Sequence, residues 1–259
     1  KLSPLYPTEI EIRGKVISII RSYAHRKEKS RPHPVVTKKL QRRMDYSWDF
    51  NGAQIKTYTH GIHPYPAMFI PQVANRLLKS YSHEGDTICD IFCGSGTALV
   101  ESRLLKRNAY GIDLNPFAIF LAKAKTTETN PKLLQTEYFK LIEQIEKNFN
   151  GSTKAPSFFN MDFWFKPEVI KKLSKLKYLI SQIKIEKIRN FFLVSFAETV
   201  RFSSNTKNSE FKLVRIPKEQ LADHNPDVFG FFKSFLNCLS VFYVFWNPYS
   251  TIVSQRFGH

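Results

Sequence analysis

Between Thr87 and Asp113 the hydrophobic pattern switches period twice. An apolar run from Thr87 to Phe92 leads into a glycine turn, Cys93 to Gly96, then a helical stretch, Thr97 to Arg107, and a second short run, Tyr110 to Asp113. Ala98, Val100, Leu104 and Leu105 recur at mixed three- and four-residue spacing, and Asn108 is placed to end that helix. The order predicts one βαβ unit, and a parallel crossover demands a sheet covered on both faces. Two amphipathic helices follow. Leu133 to Phe149 is apolar at Leu134, Tyr138, Leu141, Ile142, Ile145 and Phe149; Glu168 to Ile183 is apolar at Ile170, Leu173, Leu176, Ile180 and Ile183. Between them Asn150-Gly151-Ser152-Thr153 reads as a flexible connector. Pro156 and Pro167 bracket an aromatic patch of Phe158, Phe159, Phe163, Trp164 and Phe165, and a domain boundary is expected here. The polar stretch Arg201 to Asn208, with Ser203, Ser204, Asn205 and Thr206, is predicted to be a mobile loop.

Composition narrows the class. At 259 residues the chain suits one large domain, or one domain with an appendage. Hydrophobic residues at 42%, with 23 Phe and 11 Tyr, supply a core and exclude global disorder and fibrous classes. Lys and Arg number 39 against 22 Asp and Glu, a net charge of +17 that favours nucleic acid first and an acidic membrane surface second. Much of the imbalance is local: Arg21, Arg26, Lys27, Lys29, Arg31, Lys38, Lys39, Arg42 and Arg43 face the single acid Glu28. Such a run is a solvated arm or a phosphate-contacting one. Tyr46, Trp48, Phe50 and Tyr58 follow it, either to stack bases or to anchor the arm in a small hydrophobic cluster. Cys89, Cys93 and Cys238 make an odd number without a Cys-x-x-Cys pair, which fits a reducing compartment and excludes a disulfide framework. The longest apolar stretch, around Leu239 to Trp246, is far below the ~20 residues of a spanning helix. No secretion signal opens the chain, so the expected location is the cytoplasm. A first residue of Lys1 rather than Met points to a fragment or processed product.

Gly94-Ser95-Gly96 after an apolar strand lets a ligand approach the backbone. A dinucleotide fingerprint wants a small residue where Leu99 stands, and a phosphate loop wants Gly-Lys-Ser/Thr where Gly96 is followed by Thr97 and Ala98. Neither is met. Asp90 before the turn and Asp113 at the end of the next strand add the missing specificity, because an acid there can accept from two ribose hydroxyls. The spacing suits a nucleoside without a pyrophosphate. S-adenosylmethionine is such a ligand, with an ammonium for carboxylates and a carboxylate for backbone N–H groups.

The runs Asp90-Ile91-Phe92-Cys93-Gly94-Ser95-Gly96-Thr97 and Asn108-Ala109-Tyr110-Gly111-Ile112-Asp113-Leu114-Asn115-Pro116 resemble the cofactor and acidic motifs of DNA amino-methyltransferases. The upstream segment His60-Gly61-Ile62-His63-Pro64-Tyr65-Pro66-Ala67-Met68-Phe69 resembles the family's segment that lines the methionine part of the cofactor. The likeness covers residues 58 to 125, with a looser one through Trp164-Phe165-Lys166-Pro167 and Arg189-Asn190-Phe191-Phe192. It implies a class I methyltransferase (Rossmann-like) α/β fold, a mostly parallel sheet with helices on both faces and an added helical region. It implies S-adenosylmethionine as cofactor, with Asp90, Gly94 and Gly96 shaping the methionine pocket and Thr97 beginning the helix whose amides face it. Asp113 would hold the ribose, and Pro64, Tyr65 and Ala67 would form the far wall, with Phe92, Cys93 and Leu114 also among the cofactor-binding positions. Asn115-Pro116 either starts the next helix or contacts adenine.

The chain departs from that family at the catalytic motif. Direct transfer to an exocyclic amine requires oriented acceptors and a stacked, flipped base. The family supplies these with Asp, Asn or Ser followed by Pro-Pro and an aromatic residue, and this chain has no Pro-Pro dipeptide. Asn247-Pro248-Tyr249, after the apolar run Val241 to Trp246, is the nearest match, so no catalytic residue is assigned. Carbon-5 cytosine methylation lacks its Pro-Cys nucleophile, leaving Cys93 as a packing residue, and no spacing of His, Asp and Glu suggests a metal site. The expected organisation is a basic arm (1–57), a cofactor-binding core (58–150) and a helical target-side region (151–259). The expected function is methylation of an exocyclic amino group of cytosine or adenine in double-stranded DNA. The rivals are a cofactor-binding but catalytically incomplete subunit completed by a second segment or subunit, and RNA or small-molecule methylation.

Overall fold

The computed structural model describes residues 45–147, 153–207 and 213–246, the last nine of these by backbone alone. By its contacts the chain divides into residues 1–46 and 47–259, and the elements below belong to the second unit. In order they are α1 (Pro71–Tyr81), β1 (Thr87–Asp90), α2 (Thr97–Leu104), β2 (Asn108–Gly111), α3 (Pro116–Thr126) and α4 (Pro131–Glu146). Then come α5 (Met161–Trp164), α6 (Pro167–Ser181), α7 (Glu186–Ser203), α8 (Lys218–Leu221) and α9 (Val228–Trp246). Proline opens α1, α3, α4 and α6, where its fixed φ fits and its missing N–H costs nothing. Asn115 and Asn130 cap α3 and α4, each side-chain oxygen accepting from backbone N–H groups of the first turn.

The βαβ unit forms in the expected order, with shifted ends. β1 and β2 pair in parallel, Thr87 opposite Asn108 and Asp90 opposite Gly111. β1 stops at Asp90 because its Oδ1 accepts from the Phe92 N–H at 3.1 Å and bends the chain into the turn. α2 stops at Leu104, short of Arg107, through a left-handed closure: Lys106 has φ 59°, and the Arg107 N–H donates to the Ser102 carbonyl at 2.8 Å. Asn108 therefore opens β2 instead of ending the helix; its N–H donates to the Asp86 carbonyl at 2.8 Å. Among the described residues the sheet has two strands and is not covered on both faces, since Tyr110 is 68% exposed.

Apolar faces of α3, α4, α6, α7 and α9 meet in one core that also takes in Ile62. Leu121, Leu141, Leu176, Ile180, Phe192 and Phe232 are at most 2% exposed within it, so the core runs across the boundary expected near residue 150.

One sequence expectation is corrected. Ser203, Ser204, Asn205 and Thr206 are buried and do not form an exposed loop. The Asn205 N–H donates to the Trp164 carbonyl at 2.7 Å, Ser204 and Thr206 hydroxyls meet at 2.6 Å, and Thr206 bridges to Arg215. The Ser204 and Thr206 hydroxyls and the Asn205 N–H groups find partners inside the protein, while Ser203 Oγ and Asn205 Oδ1 are buried without one. The run Val241 to Trp246 is the end of helix α9. Trp48 is held by Arg76, whose guanidinium lies 3.9 Å from the ring centroid, and by an edge contact with Phe50, while Tyr58 stays half exposed. The basic run Arg21 to Arg43, the connector at 150–152 and Asn247-Pro248-Tyr249 lie outside the described residues.

Candidate functional site

An open cavity of about 290 Å³ lies at the C-terminal end of β1, bounded by the glycine turn and by the segment that precedes α1. It brings together Tyr65, Ala67, Asp90, Phe92, Cys93, Gly94 and Thr97 of the expected cofactor positions, and adds Met68, Phe69, Ser95 and Ala98. Pro64, Gly96, Asp113 and Leu114 are not on its wall, and the structure gives each another setting. Pro64 is exposed and its carbonyl meets His63 Nδ1 at 2.6 Å. Leu114 is wholly exposed.

Gly96 is a helix-packing glycine. Its φ of 86° is left-handed, and a β-carbon there would lie 2.8 Å from the Ala122 Cβ. The turn can therefore press α2 onto α3. Gly94, at φ 50°, faces the cavity, and a β-carbon on it would sit 3.7 Å from the Tyr65 ring. That bare backbone is the opening through which a ligand could reach the turn.

Asp113 ties β2 to the turn. Its Oδ2 accepts from the Gly94 N–H at 2.9 Å and its Oδ1 from the Asn115 N–H at 2.8 Å. Each oxygen keeps a second lone pair, so the carboxylate can still accept from hydroxyls. Asn115 caps α3 and donates from Nδ2 to the Tyr65 hydroxyl at 3.1 Å, linking the far wall to the acidic strand end. Cys93 is 6% exposed; burial first, then the charges of Asp90 and Asp113, pushes its thiol pKa up, against a nucleophilic role.

Behind the cavity lies a layer of buried ionisable groups. His60 Nε2 meets Glu101 Oε1 at 2.8 Å, and Asn75 donates to Glu101 Oε2 at 2.7 Å. His63 Nε2 lies 3.0 Å from Glu198 Oε1, and Arg201 donates to Glu198 Oε2 at 2.8 Å, joining the cofactor-side segment to α7. Burial drives the His63 pKa below 6.5 while Glu198 opposes it. Its Nδ1 faces the Pro64 carbonyl and its Nε2 lies at ion-pair distance from Glu198, whose Oε1 accepts no hydrogen bond. Lys125 is wholly buried; its ammonium donates to Ser95 Oγ at 3.0 Å, and burial lowers its pKa to about 8. The sequence reading missed Ser95, Glu101, Lys125 and Glu198. A signal for Lys125 was present, because it continues the apolar stripe Ala118, Leu121, Ala122 on α3.

The cavity, the open glycine turn and a carboxylate with free lone pairs fit a nucleoside carrying an amino-acid tail. Among the described residues there is no group of three or more His, Cys, Asp or Glu that could hold a metal ion.

Comparison with known proteins agrees with this class. Residues 13–124 match the DNA methylase family model N6_N4_Mtase. Over 190 residues the chain is 40% identical to the type II methyltransferase M.MvaI of Kocuria varians, covering 69% of this chain and 42% of that protein. Over 172 residues it is 30% identical to the type II methyltransferase M.MjaII of Methanocaldococcus jannaschii, covering 59% of this chain and 30% of that protein. No solved structure matches. The chain is thus similar, over residues 13–124, to DNA methylases of the N6/N4 kind. It is a homologue of type II DNA methyltransferases and spans less than half the length of the curated relatives it matches.

Proposed function

We propose that this chain is an S-adenosylmethionine-dependent DNA methyltransferase acting on the exocyclic amino group of cytosine or adenine in double-stranded DNA. The observation that carries the reading is the parallel pairing of β1 and β2, which sets Asp90, the bare backbone of Gly94 and the carboxylate of Asp113 at one end of the unit. In this reading β1 and β2 are part of a larger Rossmann-like sheet, residues 58–150 bind the cofactor, the helices after 151 form the target side, and the protein works in the cytoplasm.

When bound, S-adenosylmethionine would supply an electrophilic sulfonium methyl group for transfer. The chain's own residues bind and orient. Asp113 accepts from the ribose hydroxyls while keeping its two backbone bonds. Tyr65, Met68 and Phe69 line one wall of the cavity, and the carboxylate of Asp90, which also lines it, would accept from the ligand's ammonium. The basic arm before residue 44 would neutralise phosphates along the duplex.

A second reading has a specific observation behind it: no Pro-Pro dipeptide exists to orient the amine. The chain would then bind cofactor and DNA but need a further segment or subunit to transfer methyl. Two measurements test the proposal. Asp113→Ala should weaken S-adenosylmethionine binding roughly ten- to a hundred-fold, the range for losing charge-assisted bonds; unchanged affinity by calorimetry refutes the site. Labelled methyl transfer to unmethylated DNA by the chain alone, abolished by Asn247→Ala, supports the complete enzyme; cofactor binding without transfer supports the incomplete one.

A further inference from the structure

We infer that Lys125 is a positioning residue for the cofactor, holding the Ser95 hydroxyl so that it donates to the ligand's α-carboxylate. The inference rests on the cofactor site proposed above. Lys125 is on α3 and wholly buried, an arrangement with a large desolvation cost unless a counter-charge or ligand repays it. No carboxylate pairs with its ammonium among the described residues; its partner is Ser95 Oγ at 3.0 Å. Thr59 fixes the local backbone by donating to the Lys125 carbonyl at 2.9 Å.

An ammonium is a donor only, so Ser95 Oγ must accept from it, and the hydroxyl's own proton is released to donate elsewhere. Among the described residues no acceptor takes that proton. Ser95 lines the cavity between Gly94 and Thr97, beside the amides that begin α2. The acceptor that fits is an anionic oxygen, and the cofactor has one on its amino-acid end. Deprotonation would reverse the arrangement: a neutral amine can accept from Ser95, turning the hydroxyl proton inward and away from the cavity.

The charged groups on the elements packed against α3 are His60 and His63 on the preceding segment, Glu101 and Arg103 on α2, and Glu198 and Arg201 on α7. His63 titrates below 6.5, and the Cys93 thiol of the turn is raised above 9.0. Burial lowers the Lys125 pKa to about 8.

The test is S-adenosylmethionine affinity of the whole chain and of Lys125→Met, by calorimetry at about pH 7 and about pH 9.5. The ligand's own amine titrates near ~8, so the readout is the ratio of the two proteins at each pH, in which that titration cancels. The expected ratio is roughly ten-fold in favour of wild type at the lower pH and close to one at the higher. Ser95→Ala, which keeps the lysine, should show the same loss, and it replaces Lys125→Met if that variant does not fold. A ratio that is near one at the lower pH, or equally large at both, overturns the inference. Failure of wild type to bind at the lower pH instead overturns the cofactor site itself.

Discussion

Gly96 can be separated into a conformational and a steric requirement because the chain contains its own control. Gly85 has φ 87° and Gly96 φ 86°, but a β-carbon on Gly85 meets nothing within 4 Å, whereas one on Gly96 comes 2.8 Å from Ala122 Cβ and 3.0 Å from Ala122 Cα. Gly85→Ala should therefore cost only the left-handed penalty, about 1–2 kcal/mol. Gly96→Ala should cost that plus overpacking of about 1–3 kcal/mol, since Ala122 sits on helix backbone and cannot swing aside. Urea denaturation would measure both, and thermal unfolding should follow at roughly 2–4 °C per kcal/mol for a chain of this size. The added Ala122→Gly change should recover part of the Gly96→Ala loss and none of the Gly85→Ala loss. Equal destabilisation of the two single variants would refute the close approach of turn and α3.

Two further outcomes follow from the structure and the charge pattern. The folded pKa of Lys125 is about 8 against 10.5 unfolded, so the unfolded chain binds the extra proton between those values and stability must rise with pH there. The cost is fully present below about pH 8, is released toward about pH 10.5 and amounts to about 3 kcal/mol; denaturation midpoints of wild type and Lys125→Met should converge over that interval, and parallel curves refute the burial of the charge. Replacing Lys38, Lys39, Arg42 and Arg43 by Ala should flatten the slope of log K for DNA against log salt by roughly 0.9 per lost phosphate contact; an unchanged slope by anisotropy places the duplex elsewhere.

Much of the site was legible because its determinants are local. The glycine turn, Asp90 and Asp113 follow from a period change and residue spacing within one βαβ unit. Helix ends were less legible: Lys106 adopts the left-handed closure usually given to glycine, so nothing in its type marks the stop after Leu104. Polarity misled at Ser203 to Thr206, where distant partners such as the Trp164 carbonyl take up the Asn205 N–H inside the fold. The ionisable layer behind the cavity was hidden for the same reason, since Glu198 and His63 meet only through tertiary packing. Lys125 defied the expectation that lysine marks a solvent face.

Among the described residues, the β1–β2 pair leaves apolar side chains open to solvent. Parallel strands normally sit between covering layers, yet Ile91, Phe92, Tyr110, Ile112 and Leu114 around this pair are all more than half exposed. Exposed apolar rings beside strand edges are a template for adhesion. Purified by itself, the chain should show concentration-dependent sedimentation that a charged substitution at Tyr110 or Ile112 suppresses.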